Sequence, residues 1–213
     1  MKKKADSTST RERLLAAALH EFSTRGHAGA RVANIARKCR VNKQLLYYYF
    51  KSKEGLYRAV LADLHKRNEL VLVSAPSEFE ASLLYWQEFY LNDPHYIRLM
   101  MWEALDFSDR EVPGEADRRN IYTLSKAKLA NEIQPGKWPL QLSRDQAMIT
   151  WIAIVAFPAV FPQITRLITG RAPGDKVFRE KRSAFLREFA RLLITGDLAT
   201  AKSAPTGQAP AAS

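Results

Sequence analysis

The side chains most able to do chemistry lie in a short polar and aromatic run that follows Asn42. Leu46 and Phe50 are four residues apart, so on a helix they face inward together and leave the donors and rings outside. The outward set consists of Lys43, Gln44, Tyr47 and Tyr48. Amine, amide and phenol groups on one helix face offer hydrogen-bond donors to another molecule. The chemistry predicted for this run is therefore recognition.

Two short helices are predicted to position that set. Asn42 is a residue type that caps helix N-termini, and residues 43–50 behind it give about two turns of helix. The helix before it has a small or apolar side, made of Ile35, Ala36, Cys39 and Val41. Two short helices joined by a turn of about three or four residues form a helix-turn-helix, whose second helix fits the major groove of DNA.

The net charge of +11 is concentrated in this part of the chain. Residues 1–60 hold 14 Lys and Arg against 4 Asp and Glu, whereas residues 61–213 hold 19 against 18. Ordinary surface solubility would spread the excess along the whole chain. A basic surface confined to one domain indicates a polyanion partner, because binding to phosphates releases counterions from nucleic acid. The charge therefore favours double-stranded DNA as a partner.

Length and composition predict a globular chain that is not stabilised by disulfides. With 213 residues and 46% hydrophobic residues, the chain can bury a core without covalent cross-links. Its one cysteine, Cys39, excludes an intramolecular disulfide and lies among apolar residues, which favours packing over a redox or metal role. Residues 1–8 are basic and rich in Ser and Thr, with no apolar core of a secretion signal. We therefore expect a cytoplasmic protein.

Residues 11–57 carry a longer pattern of residue types at fixed spacing. It comprises an Arg-rich opening helix that ends at Phe22 to Gly26, then Ile35-Ala36, Val41, Leu46-Tyr47, Tyr49-Phe50, Ser52-Lys53-Glu54 and Leu56. This pattern resembles the DNA-binding domain of the tetracycline-repressor-like (TetR) regulators. The chain departs from the family in four places. Ala30-Arg31 stands where the family usually has Thr-Ser or Thr-Thr, and Arg40 replaces a turn Gly. Gln44 stands where the family often has Gly, and Leu45 where it often has Thr or Ala. A left-handed Arg40 would cost roughly 1 kcal/mol relative to Gly.

The resemblance implies which residues contact DNA. The implied set is Arg31, Lys43, Gln44, Leu45, Tyr47, Tyr48, Tyr49 and Lys53. The lysine and glutamine that start the third helix would reach base edges, a Lys to guanine and a Gln to adenine. The three tyrosines would contact phosphates or thymine methyl groups, although Tyr49 can also be partly core, while Arg31 and Lys53 would hold phosphates. A two-fold dimer would then require a pseudo-palindromic operator.

Helix signals continue along the chain with almost no strand signal, so the predicted fold class is all-α. The predicted domains are a flexible basic arm (1–8), a helix-turn-helix DNA-binding domain (9–52), a helical regulatory and dimerisation domain (53–196) and a disordered tail (197–213). The helix predicted at residues 43–50, which would enter the major groove, is called the reading helix. A further helix opens at Ser52, beside the reading helix, and ends in the next domain. It is the natural mechanical link between them.

The second domain holds aromatic and thioether side chains at inward positions. The candidates are Trp86, Tyr90, Met100, Met101, Trp102, Tyr122 and Trp151. Each of them could equally belong to an all-helical core. The resemblance implies instead that several line a cavity for a small, largely apolar or planar effector.

The last two predicted helices have broad apolar surfaces. Residues 147–161 are apolar almost all round but fall short of the ~20 residues that a bilayer requires, and Pro158 should kink or split them. A helix apolar on every side is expected to be buried twice, against its own domain and against a partner subunit. In the family, the last two helices build a four-helix homodimer interface. The residues expected in it here are Phe161, Phe178, Phe185, Phe189 and Leu192.

Two other classes of function compete with this prediction. An enzyme would use Glu103 or a histidine, yet the spacing of His20, His27, His65 and His95 suits neither metal ligands nor a nucleophile with its base. The sequence predicts no enzyme, no metal and no other cofactor. The remaining alternative is a DNA-binding protein with an architectural duty and no response to a ligand.

Overall fold

The computed structural model describes the backbone of residues 2–107, 110–132 and 143–195, and the side chains of residues 10–107, 110–129 and 143–194. Within these ranges the backbone forms ten helices and no strand, which confirms the all-α prediction. The helices are α1 (Lys2–Gly29), α2 (Val32–Lys38), α3 (Lys43–Phe50), α4 (Lys53–Ser74), α5 (Phe79–Asn92), α6 (Pro94–Phe107), α7 (Glu115–Glu132), α8 (Arg144–Val160), α9 (Pro162–Thr169) and α10 (Lys176–Thr195). The tail predicted at residues 197–213 lies outside the described ranges.

Helix α1 is longer than its sequence signals suggest. It begins at Lys2, inside the predicted basic arm, because residues 2–8 contain neither Gly nor Pro to interrupt it. The flexibility of the basic arm stays a prediction. Near its other end the helix kinks at Gly26, where φ is 67°. A Cβ atom at this glycine would lie 2.8 Å from Cε3 of Trp102, so the kink brings the indole ring against bare backbone.

Helices α1 to α4 form one unit, the head, around a shared apolar core. Phe22, Ile35, Leu46 and Leu56 are all buried there, one from each helix, and Leu99 of α6 enters the same core. Helix α1 packs on α2 and α4 and also on α6. The head is therefore attached to the rest of the chain through α6 as well as through α4.

Helices α5 to α10 form the second unit, the C-terminal bundle. Its core joins Leu83 of α5, Val155 of α8 and Leu186 of α10, all fully buried, with Ile97 of α6 and Leu129 of α7 at its edge. Helix α5 lies between α8 and α10 and packs on both.

Pro158 does not split α8, and the helix runs on to Val160. A proline lacks the N–H that would bond the carbonyl four residues earlier, here Ile154. Nη2 of Arg182, on α10, donates to that carbonyl at 2.6 Å and replaces the missing donor. The break follows at Phe161, before Pro162 starts α9, and α8 and α9 meet at an angle of 82°.

Within the described ranges, no single helix is both long enough and apolar enough to cross a membrane. Helices α8 and α9 reach that length and composition only when taken together, across their sharp bend.

Candidate nucleic-acid interface and effector cavity

The turn between α2 and α3 places the reading helix on the surface of the head. Arg40 has φ 56° and takes the left-handed conformation that the sequence analysis considered, at a cost of roughly 1 kcal/mol relative to Gly. The N–H of Val41 then donates to the carbonyl of Ala36 at 3.0 Å and closes the turn. The chain thus keeps helix-turn-helix geometry without the turn glycine.

Helix α3 presents its donors as its spacing predicted. Oδ1 of Asn42 accepts the N–H of Leu45 at 2.8 Å, which confirms the cap. Leu46 and Phe50 are buried, while Lys43 and Gln44 are exposed. The exposed rings are Tyr47, at 42% exposure, and Tyr48, at 71%. Because large aromatic side chains are seldom left this open to water, the face is suited to contact another molecule.

The other predicted DNA contacts have mixed environments. Arg31 is exposed at the N-cap of α2, whereas Leu45 and Tyr49 are half-buried. The ammonium of Lys53 donates to the carbonyl of Ala28 at 3.0 Å and so joins α4 to the end of α1. Lys53 has an internal partner that the sequence analysis did not foresee, and its phosphate contact stays a prediction.

Sequence reasoning missed two residues that shape this surface. Glu21 accepts both the backbone N–H of Arg31, at 3.1 Å, and the side-chain amide of Asn34, at 3.0 Å. A carboxylate of α1 therefore stabilises the start of α2, where the family's Thr cap is absent. Lys51 has its ammonium 5.7 Å from the ring centre of Tyr48, a cation–π distance that adds positive charge beside the exposed rings. In the sequence, the only indication that Lys51 lies at this surface is its position directly before the Ser52 cap.

A cavity of about 340 Å³ lies between α4, α5, α6, α7 and α8. Five of the seven predicted ligand residues line it, namely Trp86, Tyr90, Met100, Tyr122 and Trp151. Met101 and Trp102 lie elsewhere: Met101 is exposed, and the indole N–H of Trp102 donates to the carbonyl of Ser23 in α1 at 3.2 Å. Successive residues of a helix point in different directions, so Met100 enters the cavity and its two successors do not.

Glu103, one of the polar groups that the sequence offered for orienting a ligand, lines the cavity, and three titratable residues that it did not offer, Arg118, Lys128 and His65, line it too. Nη1 of Arg118 donates to Oε2 of Glu103 at 2.5 Å, and both side chains are largely buried. Lys128 donates to the carbonyl of Leu72 at 3.1 Å and also to that of Ala75, at the end of α4. The third is His65, whose Nε2 is buried without a hydrogen-bond partner among the described residues.

Burial of His65 predicts a specific loss of stability in acid. Burial, assisted by the charge of the Arg118 guanidinium, lowers the pKa of His65 to about 4. Unfolded histidine titrates near 6.5, so between these values only the unfolded chain gains the proton. The free energy of unfolding should therefore fall by about 3 kcal/mol as the pH drops from 6.5 to 4. Urea unfolding at several pH values measures this, and His65→Gln should flatten the curve, since the other three histidines remain in both proteins. An unchanged curve in the variant would assign the acid sensitivity elsewhere.

The predicted dimer-interface residues divide into two groups. Phe161 and Phe185 are exposed, at 39% and 50%, while Phe189 and Leu192 are half-buried. Phe178 is buried inside its own chain, so the expectation that it faces a partner is wrong. It lies in the first turn of α10, where the Asp175 carboxylate accepts its N–H at 3.1 Å. The exposed apolar surface instead continues onto α9, through Ile164, Leu167 and Ile168.

This combination of a helix-turn-helix head and a helical bundle defines a DNA-binding transcriptional regulator. The sequence model of the family described as bacterial regulatory proteins, tetR family, matches residues 14–60. The regulator RutR of Escherichia coli K12 is 41% identical over 195 residues, which cover 86% of this chain and 88% of RutR. The transcriptional repressor SCO4008 of Streptomyces coelicolor is 28% identical over 165 residues, which cover 78% of this chain and 86% of SCO4008.

A solved structure shares this fold. The crystal structure of SCO4942 from Streptomyces coelicolor superposes with a TM-score of 0.66 at 25% identity, and the match covers 84% of this chain and 97% of that one. The chain belongs to the TetR family of transcriptional regulators. This membership places it among DNA-binding proteins and not among enzymes.

Proposed function

We propose that this chain is a homodimeric repressor that leaves a pseudo-palindromic operator when a small, largely apolar or aromatic effector fills the cavity. Repression is the activity named for its relative SCO4008. The observation that carries the proposal is helix α6, which lines the cavity with one face and holds the head with another. The regulator would act in the cytoplasm, on double-stranded DNA.

DNA contact is assigned to the exposed face of α3 and its flanks. Lys43 and Gln44 stand at the start of the helix, where side chains reach base edges in the major groove. Tyr47 and Tyr48 are open to solvent and suit phosphates or thymine methyl groups. Arg31, at the start of α2, supplies a cation at the flank. These contacts need a second head to span two half-sites.

Homodimerisation is assigned to the exposed apolar side chains of α8, α9 and α10. Phe157 and Phe161 are in ring contact, with centroids 5.3 Å apart, and both are substantially exposed. Phe185 on α10 is equally open, with Arg182 over its ring at 4.9 Å. Burying these rings against the same surface of a second copy removes them from water and forms a two-fold interface.

Helix α6 connects the effector cavity to the head. Ile97, Met100 and Glu103 line the cavity. On the other side, Nε of Arg98 donates to the carbonyl of Ser23 at 2.9 Å, and the indole N–H of Trp102 donates to the same oxygen. That carbonyl lies just before the Gly26 kink of α1. An effector that displaces α6 therefore moves α1, and operator affinity falls if the new head spacing no longer matches the half-sites.

Operator selection followed by effector screening tests the proposed function. Purified protein is mixed with random duplexes, and bound sequences are amplified and aligned. We expect the selected DNA to be a pseudo-palindrome bound by two copies of the chain. We also expect one fraction of cell metabolites to release the protein from this DNA and to raise the melting temperature of the DNA-free protein. Tight DNA binding with no metabolite effect would favour an architectural role. A chain that selects no sequence would contradict the proposal as a whole.

Removing the guanidinium contact between α6 and α1 should uncouple effector from operator. In Arg98→Ala the Ser23 carbonyl loses a charged hydrogen-bond donor, so a displacement of α6 moves α1 less than in the wild-type chain. We expect the ratio of operator affinities without and with effector to fall by about tenfold, with effector affinity of the DNA-free protein nearly unchanged. Fluorescence anisotropy on labelled operator measures the ratio. Arg119→Ala is the matched control, since Arg119 is an exposed arginine whose ion pair, with Glu115, lies within α7. An equal loss in both variants would contradict this path.

A further inference from the structure

We propose that the effector is an electroneutral, planar aromatic molecule of two or three rings that donates a hydrogen bond, from a hydroxyl or ring N–H, to Oε1 of Glu103. The inference rests on the proposed function in one respect, that the cavity is the effector site. It adds the charge, the shape and the anchoring group of the ligand.

The anchor is Oε1 of Glu103, the side-chain oxygen that does not accept from Arg118. The side chain is 3% exposed, and its Oε2 accepts from Arg118. Its Oε1 is buried and has no hydrogen-bond partner within the described part of the chain. A buried acceptor on a charged group is costly to leave unpaired, so a ligand that brings a donor to this position gains affinity. A ligand without a donor leaves the cost in place.

Charges on the described cavity wall are already matched. Glu103 and Arg118 neutralise each other. Lys128 is held by the carbonyls of Leu72 and Ala75, at the C-terminal end of α4, where the negative end of the helix dipole offsets its charge. Burial keeps His65 neutral at ordinary pH. A charged ligand would lose its hydration and find no free counterion, so the cavity selects a neutral one.

The shape follows from the rings that form the wall. Trp86 and Trp151 meet edge to face, with centroids 5.8 Å apart, and Tyr90 and Tyr96 are nearly parallel at 6.1 Å. Such walls offer both faces and edges to another flat ring system. At the packing density of protein interiors, about 0.74, a cavity of this size holds roughly 250 Å³ of ligand, which corresponds to two or three substituted rings.

A second polar contact is available for an acceptor on the same ligand. The indole N–H of Trp151 is buried without a hydrogen-bond partner among the described residues and borders the cavity. A carbonyl or ring nitrogen at this position would satisfy it. The ligand class is thus a neutral aromatic that has at least one donor and accommodates an acceptor.

Four probes on one ring system test the inference: β-naphthol, its methyl ether, the β-naphthoate anion and β-naphthyltrimethylammonium. Isothermal titration of the full chain should show β-naphthol binding at least about tenfold more tightly than the methyl ether, in which a methyl group replaces the donor hydrogen. It should also bind more tightly than either ion. Tighter binding of an ion, equal binding of the ether, or no binding of β-naphthol would overturn the proposal.

The variant Glu103→Gln assigns the preference to its residue. Its amide oxygen can keep the bond to Arg118, which turns the amide N–H₂ towards the ligand and replaces an acceptor with a donor. The preference for β-naphthol over the ether should then fall at least about tenfold, while Glu111→Gln, an exposed acidic control, should leave it intact. If Glu103→Gln still prefers β-naphthol to the ether, Glu103 is not the anchor of the ligand. If this variant does not fold, the four-probe series on the wild-type chain tests the proposed ligand class.

Operator binding by the same samples separates this inference from the proposed function. If the chain binds its operator normally but does not prefer β-naphthol among the four probes, only the proposed ligand class is overturned. Correct selectivity in a chain that binds no operator would overturn the regulatory role and leave the ligand class standing.

Discussion

Gly55→Ala is expected to destabilise the head by at least about 3 kcal/mol, the largest stability change that we predict for so small an addition. A Cβ atom at this position would lie 2.1 Å from the carbonyl oxygen of Phe50. That oxygen cannot move away freely, since it accepts the N–H of Ser52 at 2.7 Å. Making room would separate α3 from α4 and break the Ser52 cap, whose Oγ accepts the N–H of Gly55 at 2.9 Å.

Gly29→Ala is the matched control for this experiment. Its Cβ would lie 3.5 Å from Cβ of Arg25, an ordinary van der Waals distance. Urea unfolding followed by far-UV circular dichroism compares the two variants with the wild-type chain. Near-equal midpoints for both variants would show that the α3–α4 junction is looser than the structure describes.

Lys43→Ala should remove readout at one base position in each operator half-site. The side chain is exposed at the first residue of α3, from which a lysine reaches guanine acceptors in the major groove. Losing a base contact should cost roughly 1 to 3 kcal/mol on the preferred base and little on the alternatives at that position. The expected result is therefore a flattened preference at one position, with the other positions unchanged.

Binding to a set of single-base operator variants, at one fixed salt concentration, measures this preference. Lys181→Ala provides the control, because Lys181 is equally exposed but lies on α10, in the C-terminal bundle. A uniform loss across all sequences would reassign Lys43 to a phosphate. Full retention of selectivity would remove it from the interface.

Local signals in the sequence were sufficient for much of the head. The Asn42 and Ser52 caps, the burial of Leu46 and Phe50, and the exposure of the α3 donors all follow from contacts within one or two helical turns. Such contacts depend on spacing along the chain, which the sequence contains in full. The all-α class follows for the same reason, from apolar periodicity repeated along the chain.

Predictions made from the residue pattern of a single helix were wrong at places where that helix packs against another one. Trp102 and Phe178 looked like cavity and interface residues, yet one packs on Gly26 of α1 and the other is buried in its own chain. Pro158 looked like a helix breaker, but Arg182 of α10 supplies the donor that it lacks. In each case the deciding partner lies far away in sequence, and periodicity shows that a face is covered without showing what covers it.

The sequence by itself determined the helical class, the basic head and the residues that α3 shows to solvent, because these depend on neighbours within a few positions. Only the tertiary structure decided that Glu103 is paired with Arg118, that its other oxygen has no hydrogen-bond partner among the residues described, and that α6 touches both the cavity and α1. Those features are contacts between separate helices, and their energies depend on distances and burial that arise only once the chain has folded.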